Sequence, residues 1–442
     1  MAKTFDLLLK GGVVVNQDGE GRRDVGVKDG RIAEIGDLSL ASAGETIDCK
    51  GLHVLPGVID TQVHFREPGP THKEDLESGS LSAVMGGVTA VFEMPNTSPL
   101  TITTTTVEDK LARAKGRMHC DHAFFVGATH HNPADLPALE RMPGVCGVKI
   151  FMGASTGDLL VEDDAGVRTV LANGARRVAI HSEDEFILRE NKKLARQGDW
   201  TSHPEVRSVE TAVSSTKRLI ALARETRRRI HVLHVTTAEE IPILAAAKDI
   251  ATAEVTPQHL TLEAPDCYIR LKGKAQMNPP IRDRRHQDGL WFGLQQGVFD
   301  VIGSDHAPHT LAEKEQPYPA SPSGMPGVQT LVPVMLNHVA EGRLTLARFV
   351  DLVCHGPQRI FAIAGKGRIA IGYDADFTIV DLKRRETITD AWSRSRCGWT
   401  PFAGMTVTGW PVGAIIRGRT VMWENTLLTA SIGAPVRFQE TL

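Results

Sequence analysis

Leu55–Gly69 reads LPGVIDTQVHFREPG. A Pro-Gly turn leads into a short apolar run, Val58-Ile59, and then into a polar series of Asp60, Gln62, His64 and Arg66. Successive side chains of a strand alternate faces, so these even-numbered residues are expected to point one way. An acid, an amide, an imidazole and a guanidinium make a poor apolar core. They suit the floor of a site that holds a metal and an anionic substrate. The competing reading is a polar strand end in solvent, and the rest of the chain decides between them.

Working outward, strand-like runs alternate with helical ones over 56–365. Strands are expected at Gly57–His64, Val88–Met94, His122–Gly127, Gly147–Met152, Arg177–His181, Arg229–Val235, Ile250–Val255 and Asp300–Ser304. Apolar spacing of the 3.6 type marks helices at Glu74–Met85, Asp184–Arg196, Val209–Arg227 and Ala238–Ala247. Eight such units predict a metal-dependent (β/α)8 barrel. A doubly wound open sheet is the alternative, and the absence of any Gly-x-Gly-x-x-Gly turn after a strand weakens it.

Both ends of the chain have another texture. Phe5–Leu9, Gly12–Val15, Asp24–Lys28 and Arg31–Ile35 read as short strands, with a Lys28-Asp29-Gly30 hairpin turn. Asp376–Asp381, Thr406–Val407, Val412–Arg417 and Arg419–Trp423 read likewise. The expectation is a small β-sandwich built from 1–55 and 366–442, the latter including a C-terminal tail, beside the barrel.

A chain of 442 residues accommodates these two domains. A net charge of -3 gives no reason to expect nucleic acid or an anionic membrane as a partner. No apolar run approaches the ~20 residues of a membrane span, and the N-terminal stretch does not read as a signal peptide. The six cysteines are scattered without a C-x-x-C, against a thiolate metal site or disulfide framework and in keeping with a reducing cytoplasm.

In such a barrel the chemistry sits at the C-terminal ends of the strands. Those ends carry Gln62, His64 and Arg66 on the first strand, Asn96 after the second and Lys149 on the fourth. The fifth ends at His181, the sixth at His234 and the eighth at Asp305. A lone imidazole at a strand end is usually a hydrogen-bonded structural residue. Three of them with a carboxylate suit zinc or a similar divalent ion. Lys149 is costly inside an apolar strand unless it is paired, snorkels out or is neutral. A neutral amine could take up carbon dioxide, becoming a carboxylated lysine that bridges two ions.

The motifs DTQVHFREPG, GGVTAVFEMPNT, GVKIFMG, HSED, HVLHVTT, EVTPQHL, MNPPIR and GSDHAPH resemble those of the cyclic amidohydrolases, and among them the dihydroorotases. The resemblance spans the chain. It implies a barrel beside a small sandwich, with one or two zinc ions per chain. The reaction it implies is the reversible interconversion of N-carbamoyl-L-aspartate and dihydroorotate in pyrimidine biosynthesis. By position, His64, carboxylated Lys149, His181, His234 and Asp305 match metal ligands, and Asp305 matches the catalytic proton shuttle. Arg66, Asn96 and His309 match residues that grip the substrate carboxylate, and Asn278 matches one that lines the pyrimidine. Gln62 stands where the family has a histidine, so it is at best a weak ligand and the first metal position is expected to be weakened.

Arg66 discriminates among the relatives. Hydantoin, dihydropyrimidine and allantoin rings are neutral, whereas dihydroorotate carries a carboxylate that a guanidinium can clamp. A surface ion pair with Glu67 or Asp75 is the bland alternative for this residue. Leu311–Gly327, rich in Pro, Ser and Gly, is expected to loop over the mouth. The rival functions are hydrolysis of another cyclic amide, and a non-catalytic relative that partners aspartate transcarbamoylase. A homodimer is implied by the resemblance alone.

Overall fold

The computed structural model describes residues 4–154 and 159–441. Eight parallel strands form the centre: Val58–Val63, Val88–Glu93, Asp121–Gly127, Val145–Phe151, Val178–His181, Ile230–Val232, Ala251–Val255 and Val301–Ile302. They lie side by side in chain order. The ring closes where the His64 amide donates to the His306 carbonyl at 2.7 Å and Val63 bridges to His306. The last closure is therefore made by residues beside the expected site.

Side chains on the outer face of these strands, such as Val58, Val91, Val148, Ile180 and Val255, pack with the surrounding helices into one large core. The floor of the barrel interior is aromatic. Phe92 meets Phe125, Phe361 and Phe438 edge-on at centroid separations of 6.3, 5.3 and 5.8 Å, so the C-terminal segment plugs the end opposite the mouth. Edge-to-face packing is the arrangement that ring quadrupoles prefer.

The terminal segments build two sheets. A four-stranded sheet runs Arg31–Gly36, Asp24–Lys28, Thr4–Lys10, Ser42–Asp48. A seven-stranded sheet runs Thr426–Leu427, Arg419–Trp423, Thr406–Ile416, Phe377–Thr387, His53–Pro56, Val13–Asn16, Gly19–Arg22. Strands from the two chain ends meet where His53–Pro56 pairs with Phe377–Thr387. Leu7, Val25 and Ile32 pack with Val54, Phe377 and Ile415 in a shared core. The hairpin between Lys28 and Arg31 turns on Asp29 and Gly30, both at positive φ (51° and 73°) as a tight two-residue turn requires. A buried ionic cluster ties barrel to sandwich: Lys366 Nζ lies 2.6 Å from Asp121, 3.2 Å from Asp374 and 2.5 Å from Asp376, and Arg417 also pairs with Asp121.

Some boundaries differ from the sequence reading. The runs expected at Thr406–Val407 and Val412–Arg417 merge into one continuous strand, Thr406–Ile416, in which Val412 and Gly409 are absorbed at register shifts opposite Ile379/Val380 and Asp381/Arg385. The helix expected over Asp184–Arg196 is α-helical only across Glu185–Asn191 and tightens to a 3-10 turn at Lys192–Leu194.

Candidate metal centre and substrate cleft

A cleft opens at the C-terminal ends of the barrel strands. It is lined by Gln62, His64, Arg66, Asn96, Lys149, Phe151, His181, His234, Asn278, Asp305 and the loop residues Ala307, Ser323 and Gly324. Every residue singled out in the sequence except Asp60 and His309 is on this wall.

The first strand does not alternate as simply as its sequence suggests. Its pairing slips at Val58/Ile59 and again between Asp60 and Val63. Gln62 and His64 still reach the mouth, but Asp60 does not. It accepts from the amides of Gln62 and Ser304 at 3.2 and 3.0 Å, one layer below the cleft. Burial pushes its carboxyl up to about 7. Thr61 meanwhile donates to Glu254 at 3.0 Å.

Two pairs of donor atoms face the cleft. On one side, His64 Nδ1 lies 2.8 Å from Asn96 Oδ1 and so carries the proton, leaving the Nε2 lone pair 3.2 Å from Asp305 Oδ1. Two acceptors at that distance call for a proton or cation between them. The same Oδ1 accepts from Gln62 Nε2 at 3.0 Å. On the other side, His181 Nε2 donates to Glu183 at 2.8 Å, which turns its Nδ1 lone pair toward His234 Nε2 at 3.1 Å. Two nitrogens bound to one zinc at 2.0–2.1 Å in tetrahedral geometry lie roughly 3.3 Å apart, so this pair is close to the spacing an ion needs. Arg207 holds Glu183 from behind through Nε at 3.0 Å. That guanidinium, with the His181 ring, keeps the Glu183 carboxyl well below the usual carboxylate range despite its burial. A carboxylate fixing the outer nitrogen of a histidine is the usual support for a metal ligand.

Lys149 stands within electrostatic reach of both pairs, its charge lowering the pKa of His64, His181 and His234 alike. Its Nζ is buried and has no hydrogen-bond partner among the described residues. Neither the snorkelling nor the buried-acid reading describes it. Desolvation brings its pKa down to about 7, with the more distant charges of Asp305 and Glu254 opposing. An orphaned, largely neutral amine between two donor pairs fits a carbamate that supplies oxygen ligands. The donor set therefore fits a divalent ion well at His181 and His234, and less well at His64, where the Gln62 amide already occupies Asp305.

Arg66 is buried at positive φ (64°), one of three residues on the cleft wall, with His234 and Asp305, held in this sparsely populated region. Its Nε donates to the Pro308 carbonyl at 3.2 Å, and no carboxylate lies within ion-pair distance among the described residues. Burial lowers its pKa to about 10, still far above neutrality. The surface-pair alternative is excluded, because Glu67 is taken by Arg117 at 2.7 Å and Asp75 pairs with Arg396.

His309 departs from the expectation. Its Nε2 donates to the Ser323 carbonyl at 3.0 Å and its Nδ1 accepts from Lys73 Nζ at 3.0 Å, so the ring stands behind Arg66, whose Nη2 is 3.3 Å away. Asn278 faces the cleft with its Oδ1 accepting from His203 at 3.1 Å. The Leu311–Gly327 segment does reach the mouth, but it begins with a helical turn at Leu311–Lys314 and is tied down along its length. Glu183, Arg207 and Phe151 were not singled out in the sequence. The HSED motif carried the first, and only the pairing of distant segments reveals the second.

A separate trio, His130, Glu162 and Asp163, brings ligand atoms within 4.8 Å of one another on the surface. Arg189 lies 3.4 Å from Glu162 there.

A (β/α)8 barrel with imidazoles, a carboxylate and a buried lysine at its mouth, joined to a sandwich made from both chain ends, defines a hydrolase of the barrel class. The chain belongs to the amidohydrolase family, whose model matches residues 53–421. It is 35% identical over 418 residues to a dihydroorotase of Methanosarcina acetivorans, covering 91% of this chain and 88% of the relative. It is 36% identical over 434 residues to a dihydroorotase of Halobacterium salinarum, covering 94% and 99%. Among solved structures it is similar to the L-hydantoinase (dihydropyrimidinase) of Arthrobacter aurescens, with a TM-score of 0.92, 30% identity and coverage of 98% and 99%. The chain is an enzyme of the cyclic amidohydrolase type. No helix among the described residues is long and apolar enough to cross a membrane.

Proposed function

We propose that this enzyme is a dihydroorotase, interconverting N-carbamoyl-L-aspartate and (S)-dihydroorotate in de novo pyrimidine biosynthesis with the help of zinc. The observation that carries the reading is Arg66: a buried, charged guanidinium on the cleft wall that donates to the Pro308 carbonyl and has no carboxylate partner among the described residues. A buried cation without a counter-charge is costly, and a substrate carboxylate would supply the missing partner.

His181, His234 and Lys149 as its carbamate would hold the principal ion, with His64 and Asp305 offering a weaker second position. Carbamylation joins the Lys149 nitrogen to the carbon of carbon dioxide and releases one proton. The chemistry such an ion supplies when bound is polarisation of the scissile carbonyl and a water acidic enough to ionise near neutral pH. Arg66 and Asn278 orient the ring by its carboxylate and its amide edge. Asp305 Oδ1 is tied to Gln62, which leaves Oδ2 to accept a proton from the attacking water and return it to the leaving amide nitrogen.

A second reading, hydrolysis of a neutral cyclic amide such as a hydantoin, dihydropyrimidine or allantoin, is favoured by the hydantoinase likeness at a TM-score of 0.92. Initial rates with dihydroorotate and carbamoyl aspartate, set beside hydantoin, dihydrouracil and allantoin, decide between them when metal is measured on the same sample. Faster turnover of the neutral rings overturns the proposal. We further propose residues 1–55 and 366–442 as one domain beside a 56–365 barrel, a homodimer in the cytoplasm, and association with aspartate transcarbamoylase. Light scattering with and without that partner tests the assembly.

A further inference from the structure

The wall of the cleft that faces Arg66 is made of chain with little regular structure. Ala307 follows the eighth strand, Ser323 and Gly324 lie further along the same connection, and Asn278 comes from the connection after the seventh. Such segments do not hold a substrate-sized cleft open by themselves. The residue that joins them is Lys314.

Lys314 is buried at 2% exposure and sits at the end of the Leu311–Lys314 turn, outside the cleft. Its Nζ donates to three carbonyls, Gln276 at 3.0 Å, Pro322 at 2.7 Å and Gly324 at 2.7 Å. All three ammonium protons are thereby used, one on the 276–278 segment and two on the 321–325 segment. No carboxylate pairs with it among the described residues; the adjacent Glu313 is taken by Lys73 at 3.0 Å. The clamp is reinforced on both sides. Gln276 donates through Nε2 to the Ser321 carbonyl at 2.8 Å, and the Gly324 amide donates to the Gln276 carbonyl at 2.9 Å. Trp200 Nε1 donates to Ser321 Oγ at 3.0 Å. Gly324 has φ +134°, and a Cβ there would stand 2.4 Å from the Ala307 carbonyl, so the segment is pressed against the eighth-strand connection.

The clamp reaches the substrate side through geometry. Pro322 and Gly324 flank Ser323, whose carbonyl accepts from His309 Nε2 at 3.0 Å, and the His309 ring stands behind Arg66. Burial draws the pKa of Lys314 well down, and its three carbonyl contacts are what hold the wall.

We propose that Lys314 is a positioning and specificity-determining residue: it staples the 276–278 and 321–325 segments to the eighth-strand connection and, through the Ser323 carbonyl that accepts from His309, fixes the ring standing behind Arg66, the side chain that receives a carboxylate-bearing ring. It touches no substrate and acts through Arg66, Asn278 and the Ser323–Gly324 backbone. The specificity part rests on the dihydroorotase reading above, while the stapling part does not.

The test uses the full-length metal-loaded enzyme and Lys314→Met, which keeps the length of the side chain and removes its donors and charge. Amide hydrogen exchange across 318–326 is expected to accelerate at least about tenfold, the loss of a typical charge-assisted bond or more. Bound metal is expected to stay the same. KM for dihydroorotate is expected to rise about tenfold or more while kcat stays within about threefold, and KM for a neutral ring to move much less. Ser321→Ala, which loosens the same clamp without burying any unmet charge, is expected to shift exchange and KM in the same direction by a smaller factor. It serves if Lys314→Met does not fold. Unchanged exchange at 318–326 in the folded variants overturns the staple. Faster exchange with equal KM changes for charged and neutral rings overturns the specificity role. A parent enzyme that does not turn over dihydroorotate defeats the functional reading and leaves the exchange result to judge the staple.

Discussion

The side-chain amide of Gln62 donates to Oδ1 of Asp305 at 3.0 Å, on the oxygen that also faces His64. A carboxamide nitrogen thus sits where the first metal position would draw on that carboxylate, and amide nitrogen is no ligand at all. As-purified protein is expected to hold between about one and two ions per chain, with the deficit at the His64 side. Gln62→His is expected to raise occupancy there. Metal stoichiometry with site-resolved anomalous scattering, parent beside mutant, checks this; two full sites in the parent with Gln62 turned away would refute it.

Arg66→Met is expected to raise KM for dihydroorotate by an amount on the order of 2–4 kcal/mol, roughly 30- to 1000-fold, with metal content unchanged. Steady-state kinetics with metal analysis reads both, and an unaltered KM would remove Arg66 from carboxylate recognition.

Lys149→Ala is expected to abolish turnover and strip metal, and a short carboxylic acid in the assay to restore part of each. The parent has a pH signature as well. With the amine held at about 7, it is mostly protonated below that pH and mostly neutral above it. Only the neutral amine takes up carbon dioxide, so at a fixed concentration of dissolved carbon dioxide, reconstitution of metal-free enzyme with zinc is expected to be faster at pH 8 than at pH 6. Equal rates at the two pH values, or a plain lysine in a metal-containing high-resolution map, would count against the carbamate.

Asp305→Asn is expected to keep the fold and the ion at His181 and His234 while losing on the order of 10²–10⁴-fold in kcat, because an amide cannot take a proton from water. A loss within about tenfold, only ~1.4 kcal/mol of barrier, would move the base elsewhere.

Lys366→Met leaves Asp121, Asp374 and Asp376 buried without their shared cation. Removing one partner of a buried ionic group typically costs about 3–5 kcal/mol. A matching drop in urea stability, with KM nearly unchanged in the folded fraction, is the expected result; a loss below about 1 kcal/mol would show the cluster to be dispensable.

Much of this was legible because a barrel places its chemistry at strand ends, and strand ends can be read locally. His181, His234 and Lys149 each follow an apolar run that allows one geometry. Asp60 was misplaced because a slip in pairing between Asp60 and Val63 leaves no local mark. His309 was set on the wall, whereas three contacts from other segments draw it behind Arg66. Arg207 and Lys314 were invisible for the same reason. Each acts on backbone or carboxylate brought near only by the finished fold, and an isolated basic residue in a polar stretch reads as solvated.

The pairing of His53–Pro56 with Phe377–Thr387 bears on how the polypeptide emerges from the ribosome. The N-terminal strands are made first, yet His53–Pro56 presents an open edge until more than three hundred further residues have been synthesised. During that interval the nascent chain carries an apolar strand with one edge unpaired, the kind of edge that recruits the wrong neighbour. A chain released before residue 377 would keep its barrel sequence intact and still expose that edge, so early termination is expected to yield aggregates rather than a smaller working enzyme.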